Sequence, residues 1–204
     1  MSTGASNSSR DYYEAEAAAG TRRELRGVRL SIRRRFVQLL VAEGRPTVGD
    51  FGAGPGLDTL GFAAEGIGAV GIDLAHTNCV RGAAHGAAMV QASVDAVPLR
   101  TGVLAAAWSM STLMHLDDAS ARAAVGEIAR TVQPGGPLQI GVWGLPQAQL
   151  LVFSDPSGNT RPFHLRSLHQ NSSLFGASAD IAASDVVHHD DNGWEYQVFL
   201  LRCR

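Results

Sequence analysis

Two carboxylates flank the part of the sequence that is best suited to holding a small molecule. Asp50 follows a short apolar lead, and Gly52, Gly54 and Gly56 come after it at every second position. Glycine adopts unusual backbone angles and lets a ligand lie against the main chain. An acid at the end of the next apolar run, such as Asp73, can accept hydrogen bonds from both hydroxyls of a ribose. The pattern therefore indicates a site for a ligand that contains a nucleoside.

Two features argue against a nicotinamide dinucleotide as this ligand. The dinucleotide fingerprint requires a glycine at position 57, where this chain has Leu57. Asp50 would also lie beside the pyrophosphate, and the two negative charges would repel each other. A cofactor that carries an ammonium group would instead be attracted by this carboxylate. The nicotinamide dinucleotide is kept as a minor alternative.

The elements that must position these residues alternate along the chain. Apolar side chains recur at three- and four-residue steps over 11–43, which predicts a helix that ends at Gly44-Arg45-Pro46. Short apolar runs then alternate with helical segments, which indicates a parallel sheet with helices on both faces. The predicted strands are 47–51, 69–73, 88–92, 103–109 and 137–143. The predicted helices are 56–66, 76–86 and 118–132, the last with Asp117 or Asp118 as its N-cap.

The pattern changes in the tail of the chain. Residues 150–154 and 195–202 are typical of strands, and 166–176 is typical of a short helix. The turn-rich segment 188–193 is expected to join a final pair of strands. His188 to Asp191 include metal-capable side chains, but neighbours on an extended strand point in opposite directions, so we expect no metal site.

The composition excludes several classes of protein. All 17 basic residues are arginine, so the chain has no lysine for a Schiff base or a P-loop. The formal net charge of -2 gives no overall attraction to nucleic acid or to a membrane. No apolar run approaches the ~20 residues that span a bilayer. The polar opening and the distant Cys79 and Cys203 favour a reduced, cytoplasmic protein.

Four segments, in order, resemble the class I S-adenosylmethionine-dependent methyltransferases. VGDFGAGPG is similar to the first motif of that family, and Asp73 is similar to its ribose-binding acid. ASVDAVPL resembles the third-strand motif, and WSMSTLMHLDD followed by EIARTVQPGGPLQIGVWG resembles the region between the fourth and fifth strands. The resemblance covers roughly residues 45–145. It implies a Rossmann-like, doubly wound α/β sheet of about seven strands, mostly parallel with an antiparallel final strand.

The resemblance also implies the cofactor, S-adenosylmethionine, and a set of residues around it. It divides the chain into an N-terminal helical lid, residues 1–44, and a cofactor-binding domain, residues 45–204. The implied contacts from the domain are Asp50, Gly52, Ala53, Gly54 and Gly56 near the amino-acid end, Asp73 and Leu74 at the ribose and adenine, Ser93 and Val94 beside the adenine, and Ser109 and Met110 near the sulfonium. Tyr13 and Arg23 are the implied contacts from the lid. Ser93 departs from the aspartate that is frequent there, and Leu104-Ala105 replaces a frequent Phe-Asp.

One side chain is a candidate for the chemistry itself. Methyl transfer from a sulfonium needs mainly alignment, and positioning alone can supply ~7–11 kcal/mol. A general base is needed only when the nucleophile holds a proton that it does not lose by itself. His115, after the predicted fourth strand, is the candidate base, because an imidazole with a pKa near ~6.5 suits neutral pH. Its alternative role is to support the loop.

A small organic molecule, methylated at oxygen or nitrogen, is the favoured acceptor. The Asn/Asp-Pro-Pro-aromatic signature of enzymes that methylate base amines is replaced by residues 109–112, and neither cysteine has the setting of a pyrimidine C5 methyltransferase. Methylation of RNA or protein is one alternative, because seven arginines lie between 22 and 35. These arginines also fit a solvated helix face, which we favour. A cofactor-binding module without transfer activity is the other alternative, and a monomer or a homodimer is expected.

Overall fold

The structure is a computed structural model that describes residues 3–19 and 26–204. Two helices come first, α1 (Thr3–Ala19) and α2 (Arg26–Ala42). Strands and helices then alternate: β1 (Thr47–Phe51), α3 (Leu57–Ala64), β2 (Gly68–Asp73), α4 (His76–Ala84), β3 (Met89–Gln91), β4 (Ala106–Met110), α5 (Asp118–Thr131) and β5 (Pro137–Gly144). A single 3-10 turn, Leu113–His115, precedes α5. The tail comprises β6 (Gln149–Ser154), β7 (Thr160–Leu165), α6 (Leu168–Phe175), β8 (Ala179–His189) and β9 (Glu195–Cys203).

Seven strands form one sheet in the order β3-β2-β1-β4-β5-β9-β8. The first five strands in this order are parallel to one another, and β9 runs antiparallel to both of its neighbours. This confirms the predicted fold class, a Rossmann-like sheet with an antiparallel final strand. The strand order reverses at β1, which pairs with β2 on one side and with β4 on the other. Ligands of open α/β sheets bind beyond the carboxyl ends of the strands at such a point.

The predicted elements differ from the observed ones mainly at their ends. The helix predicted over 11–43 corresponds to α1, which begins earlier at Thr3, and to α2, while residues 20–25 lie outside the described part of the chain. The strand predicted from 103 begins at Ala106, because the backbone of Leu104 hydrogen-bonds to Thr131 and Gln133 at the end of α5. β7 was not predicted, because Pro162 lacks the backbone donor of an ordinary strand residue. β7 pairs with β6 in a hairpin that is separate from the main sheet.

The core lies on both faces of the sheet. On one face, Phe36 of α2 and Phe62 of α3 pack against Trp108 of β4, each with ring centroids 5.4 Å from the indole. On the other face, α5 packs Val125 and Ile128 into the cluster that includes the strand residues Phe51, Ile72 and Ile140. Asp117 caps α5 by accepting a hydrogen bond from the Ser120 N–H at 2.8 Å, as predicted. Among residues 3–19 and 26–204, every helix is too short or too polar to cross a lipid bilayer.

A buried carboxylate ties α2 to α3 and to the central strand β4. Arg29 and Arg33 of α2 donate hydrogen bonds to Asp58 of α3, which is 3% exposed. Trp108 Nε1 also donates to Asp58 Oδ2, at 2.8 Å. The expectation of a solvated arginine face is therefore wrong for Arg29 and Arg33, although Arg34 and Arg35 are exposed. The two inward arginines use the fixed geometry of their guanidinium groups to pair with one acid.

Substitution of Asp58 by Asn should destabilise the protein strongly. The change removes the buried anion from the half-buried Arg29 and Arg33, and breaking a buried ion pair from one side costs about 3–5 kcal/mol. The free energy of unfolding, measured in urea, tests this. The matched control is Asp180→Asn, because the Asp180–Arg204 pair is exposed on both sides and its loss should barely move the midpoint.

The same carboxylate should make the fold sensitive to acid. Burial alone would raise the pKa of Asp58. The Arg29 charge and the hydrogen bonds from Arg29, Trp108 and Arg33 have a larger, opposite effect, so the pKa is below its ordinary value of 3.8. A lowered pKa contributes stability that is present above the ordinary value and is lost as the pH falls through the native value. An acid midpoint that is the same in wild type and Asp58→Asn would contradict this assignment.

Candidate functional site

Three left-handed glycines form the turn between β1 and α3. Gly52, Gly54 and Gly56 have φ values of 77°, 58° and 76°, which other residues rarely adopt. The N–H groups of Gly52 and Ala53 donate to the Ile72 carbonyl of β2 at 2.8 and 3.0 Å. A Cβ on Gly52 would lie 2.0 Å from Thr112 Oγ1, so the turn approaches the segment after β4 too closely for any side chain. The turn is therefore a bare backbone surface held against β2 and β4.

Asp73, the last residue of β2, holds the glycine turn directly. Its Oδ2 accepts a hydrogen bond from the Gly54 N–H at 2.7 Å. Its Oδ1 accepts from the Ala75 N–H at 3.0 Å and from Asn78 Nδ2 at 3.1 Å. Asp73 is 8% exposed. The two predicted binding features, the glycines and the acid, are thus in contact, and the acid is oriented by backbone donors on both sides.

Asp50 is buried below the same turn and lacks part of its hydrogen bonding. Its Oδ2 accepts from Thr59 Oγ1 at 2.8 Å, whereas its Oδ1 has no hydrogen-bond partner within the described parts of the chain. Burial, and then the negative charge of Asp58, raise the pKa of Asp50 to about 7. A buried acceptor without a donor is costly to the fold. The site therefore fits a ligand group that donates a hydrogen bond and carries positive charge.

The pKa values of the two buried acids near the turn are shifted in opposite directions. Asp58 keeps its charge because two arginines and an indole N–H surround it. Asp50 is fully buried near the charge of Asp58, and its one hydrogen-bond donor among the described residues is the Thr59 hydroxyl, so its pKa is raised. Pairs of acids whose surroundings separate their pKa values are typical of functional sites.

The floor of the site is the segment after β4. Ser109 is buried, and its Oγ donates to the Phe51 carbonyl at 3.0 Å. Ser111 has a φ of 57° and is the one non-glycine residue with positive φ among those described. Its N–H donates to the Gly141 carbonyl at 2.7 Å, and its Oγ lies 3.1 Å from Tyr196 Oη. Such strained conformations are concentrated at functional sites.

His115 lies at the end of the 3-10 turn beside this floor. Its ring contacts Phe163 and Tyr13, with centroid distances of 4.4 and 5.7 Å. Its Nδ1 lies 2.8 Å from the Pro162 carbonyl oxygen, which can only accept a hydrogen bond. Nδ1 therefore carries the proton, and the lone pair of the neutral imidazole is on Nε2. This is the tautomer that can act as a base through Nε2.

Helix α1 crosses the carboxyl edge of the sheet and is fixed on two sides. The Glu14 carboxylate accepts hydrogen bonds from the backbone N–H groups of His76 and Thr77, in the first turn of α4. Glu16 pairs with Arg161 of β7 at 3.0 Å. An acid at a helix N-terminus is favoured by the helix dipole. Tyr13 directly precedes Glu14, and its ring contacts His115.

The remaining predicted residues lie at the rim or outside the described residues. Leu74 is half-buried, and its carbonyl accepts from Gln91 Nε2 at 3.3 Å. Ser93 donates to the Asp95 carboxylate, and its neighbour Val94 is buried. Met110 is fully buried. Arg23 lies outside the described residues.

Several residues that meet at this edge were not predicted from the sequence. Tyr196, Arg161 and Glu14 come from distant segments, and each reaches the site through tertiary packing. The one local signal was the acidic, aromatic character of residues 11–16. In the ranges that the structure describes, no group of three or more His, Cys, Asp or Glu side chains could hold a metal ion.

The chain was compared with protein families, curated sequences and solved structures. Residues 49–140 match the sequence model of a family described as a methyltransferase domain. No curated protein sequence matches the chain. Among solved structures, the DhpI–SAH complex has a TM-score of 0.75 and 18% identity over 100% of both chains.

Two further solved structures share the fold. The 1,6-didemethyltoxoflavin-N1-methyltransferase of Burkholderia thailandensis, solved with 1,6-didemethyltoxoflavin and S-adenosylhomocysteine, has a TM-score of 0.72 and 20% identity. That match covers 97% of this chain and 88% of the Burkholderia chain. A Haloferax volcanii methyltransferase in complex with the activator Trm112 has a TM-score of 0.63 and 17% identity, over 94% of this chain and 97% of its own.

The family match and the shared fold agree with the local geometry. The matched residues contain the glycine turn, Asp50, Asp73 and the segment after β4. The sheet order and the antiparallel β9 place these residues at the topological switch point. Residues 49–140 are therefore similar to a methyltransferase domain, and the chain shares the fold of the solved structures named above.

Proposed function

We propose that the chain is an S-adenosylmethionine-dependent methyltransferase that acts on an oxygen or nitrogen of a small organic molecule. The observation that carries the proposal is the path of α1, which is fixed to α4 by Glu14 and to β7 by Glu16 and so covers the edge of the sheet. A site covered by its own chain suits a small acceptor better than a macromolecule. The Burkholderia thailandensis relative, whose printed name states methylation at N1 of a small molecule, supports the same class of acceptor.

We propose that the residues at this edge hold the cofactor along its length. We assign Asp50 Oδ1 to the ammonium group, because it is a buried oxygen with no hydrogen-bond donor among the described residues. Asp73 is assigned to the ribose hydroxyls and Leu74 to the adenine. The other proposed contacts are Gly52, Ala53, Gly54 and Gly56 along the turn, Ser93 and Val94 at the adenine, Ser109 and Met110 at the floor, and Tyr13 and Arg23 from the lid.

The chain's own contribution to the chemistry is alignment and proton acceptance. When bound, S-adenosylmethionine supplies an electrophilic methyl group on a sulfur that keeps the electron pair of the broken bond. The floor at Ser109 to Ser111 fixes one side of the reacting groups. His115 Nε2 accepts the proton of the acceptor, while Nδ1 stays bonded to the Pro162 carbonyl and keeps the ring in place.

Residues 1–44 are proposed to act as a lid over this site. The contacts of Tyr13 with His115 and of Glu14 with α4 support this proposal, because a helix held by them would exclude water from a bound cofactor and acceptor. Docking of RNA on the arginines of α2 has less support, because Arg29 and Arg33 are engaged with Asp58.

Replacement of Asp50 by Asn should weaken the affinity for S-adenosylhomocysteine by about 10- to 100-fold, because a hydrogen bond to a charged group contributes about 1.5–3 kcal/mol.

In the wild type, the affinity for S-adenosylhomocysteine should rise about tenfold between pH 6 and pH 8, since the ammonium group favours the ionised form of an acid whose pKa is about 7. Calorimetric titration measures both effects. Asp191→Asn, at an exposed acid, is the control. Equal affinities and equal pH profiles in all three proteins would overturn the role of Asp50.

His115→Gln should lower kcat by about 10²–10⁴-fold, the usual contribution of a general base. The KM for S-adenosylmethionine should change little, because the substitution removes proton acceptance and not cofactor contacts. Turnover of a labelled methyl group onto an acceptor found by metabolite screening measures the effect. His169→Gln, on the exposed face of α6, is the matched control. Full turnover in His115→Gln would leave His115 as a support of the loop only.

Glu14→Gln should loosen the lid. The substitution removes the charge from the carboxylate at the N-terminus of α4, an interaction of about 0.3–1 kcal/mol. Hydrogen exchange of the α1 amides should become about two- to fivefold faster, whereas the exposed Glu65→Gln should have no effect on α1. Addition of S-adenosylhomocysteine should slow this exchange in the wild type. If neither the substitution nor the ligand changes the hydrogen-exchange rate of the α1 amides, α1 is not a lid.

A further inference from the structure

Five aromatic side chains form a continuous band at the carboxyl edge of the sheet. In order of contact they are His115, Phe163, Trp194, Trp143 and Tyr196, which we call the aromatic collar. Successive ring centroids lie 4.4, 5.7, 6.1 and 5.1 Å apart. The rings meet edge to face or tilted, which is the preferred geometry of aromatic pairs. The collar draws its members from four different parts of the chain.

Both ends of the collar lie at the floor of the site. One end is His115, the proposed base. The other end is Tyr196, whose hydroxyl lies 3.1 Å from Ser111 Oγ and 3.5 Å from Met110 Sδ. One end of the collar is thus part of residues 110–115 and the other end contacts them. This is where the reacting groups are proposed to meet.

The members of the collar differ in burial in a way that suits binding. Tyr196 and Phe163 are 0% and 7% exposed, so they are held by the core. His115, Trp143 and Trp194 are half-buried and present part of their rings at the surface. The chain has three tryptophans, and the third, Trp108, is fully buried between the sheet and α2. Both tryptophans that can reach a ligand thus lie on the collar.

We propose that the aromatic collar binds the methyl acceptor, and that the acceptor is a planar aromatic or heteroaromatic molecule bearing a hydroxyl or amine group. This inference rests on the proposed function and specifies its substrate class. A flat ring buries a large apolar area against Trp143 and Trp194 with few rotatable bonds to fix. Its polar group would then reach the polar atoms at the two ends of the collar, which are His115 Nε2 and the hydroxyl of Ser111 beside Tyr196.

Matched probes test the class of acceptor. The full-length protein is first saturated with S-adenosylhomocysteine and then titrated with 1-naphthol, 8-hydroxyquinoline and catechol. Each probe is paired with its ring-saturated counterpart: decahydro-1-naphthol, decahydroquinolin-8-ol and cyclohexane-1,2-diol. At least one aromatic probe should bind at least tenfold more tightly than its saturated partner. If no pair shows this preference, the inference is overturned. If S-adenosylhomocysteine itself does not bind, the proposed function fails first, and the inference fails with it.

Collar variants test the place of binding. Trp143→Leu and Trp194→Leu should each weaken the preferred aromatic probe at least tenfold, with the affinity for S-adenosylhomocysteine unchanged. Trp143→Phe should keep most of the affinity, because it keeps a ring. Phe153→Leu is the matched control, since Phe153 contacts Phe163 from outside the collar and is 43% exposed. Equal effects of the control and the collar variants would contradict the inference.

Fluorescence gives a readout that does not depend on the fold of single variants. Probe binding should quench the tryptophan emission of the wild type. In Trp143→Phe/Trp194→Phe only the buried Trp108 remains, and the quenching should disappear while S-adenosylhomocysteine still binds. Quenching that persists in this double variant would place the probe elsewhere.

Discussion

The site depends on two buried carboxylates, Asp50 and Asp58, whose surroundings shift their pKa values in opposite directions. Asp58 is surrounded by Arg29, Arg33 and the Trp108 indole, which stabilise its charge and fix α2 and α3 on the sheet. Among the described residues, Asp50 accepts a hydrogen bond only from the Thr59 hydroxyl, and its pKa rises to about 7. One acid therefore stabilises the fold, and we propose that the other binds a ligand. A buried acceptor of this kind can be tolerated when the surrounding structure is otherwise well satisfied.

The glycine turn converts this electrostatic arrangement into a binding surface. Its left-handed residues bring bare backbone up to β2 and to the segment after β4, and Asp73 holds the turn through the Gly54 N–H. The result is a rigid first turn at the point where the strand order reverses. Helix α1, the proposed lid, is held by side-chain contacts at Glu14 and Glu16 rather than by the sheet. This division assigns recognition to the sheet and water exclusion to the helix.

The parts of the site that the sequence predicted are those set by local pattern. β1, the glycine turn and Asp73 lie within one strand-turn-helix-strand unit, where periodicity and glycine spacing determine the structure. The contacts that sequence patterns did not predict join distant segments. Ser111 and Tyr196 are 85 residues apart in the chain, and Trp108 and Asp58 are 50 apart. The arginines of α2 fitted a solvated face equally well, because their pattern does not reveal the buried acid that they meet. β7 escaped prediction because a proline interrupts it.

We infer that Asp50 is partly protonated in the free protein and becomes ionised when an ammonium group is bound. The most direct test is to count the protons exchanged when S-adenosylhomocysteine binds at pH 7, by calorimetry in buffers of different ionisation enthalpy. With a pKa of about 7 in the free protein, Asp50 should release about half a proton per ligand bound, and Asp50→Asn should release none. Binding without proton release in the wild type, or equal release in both proteins, would contradict the account.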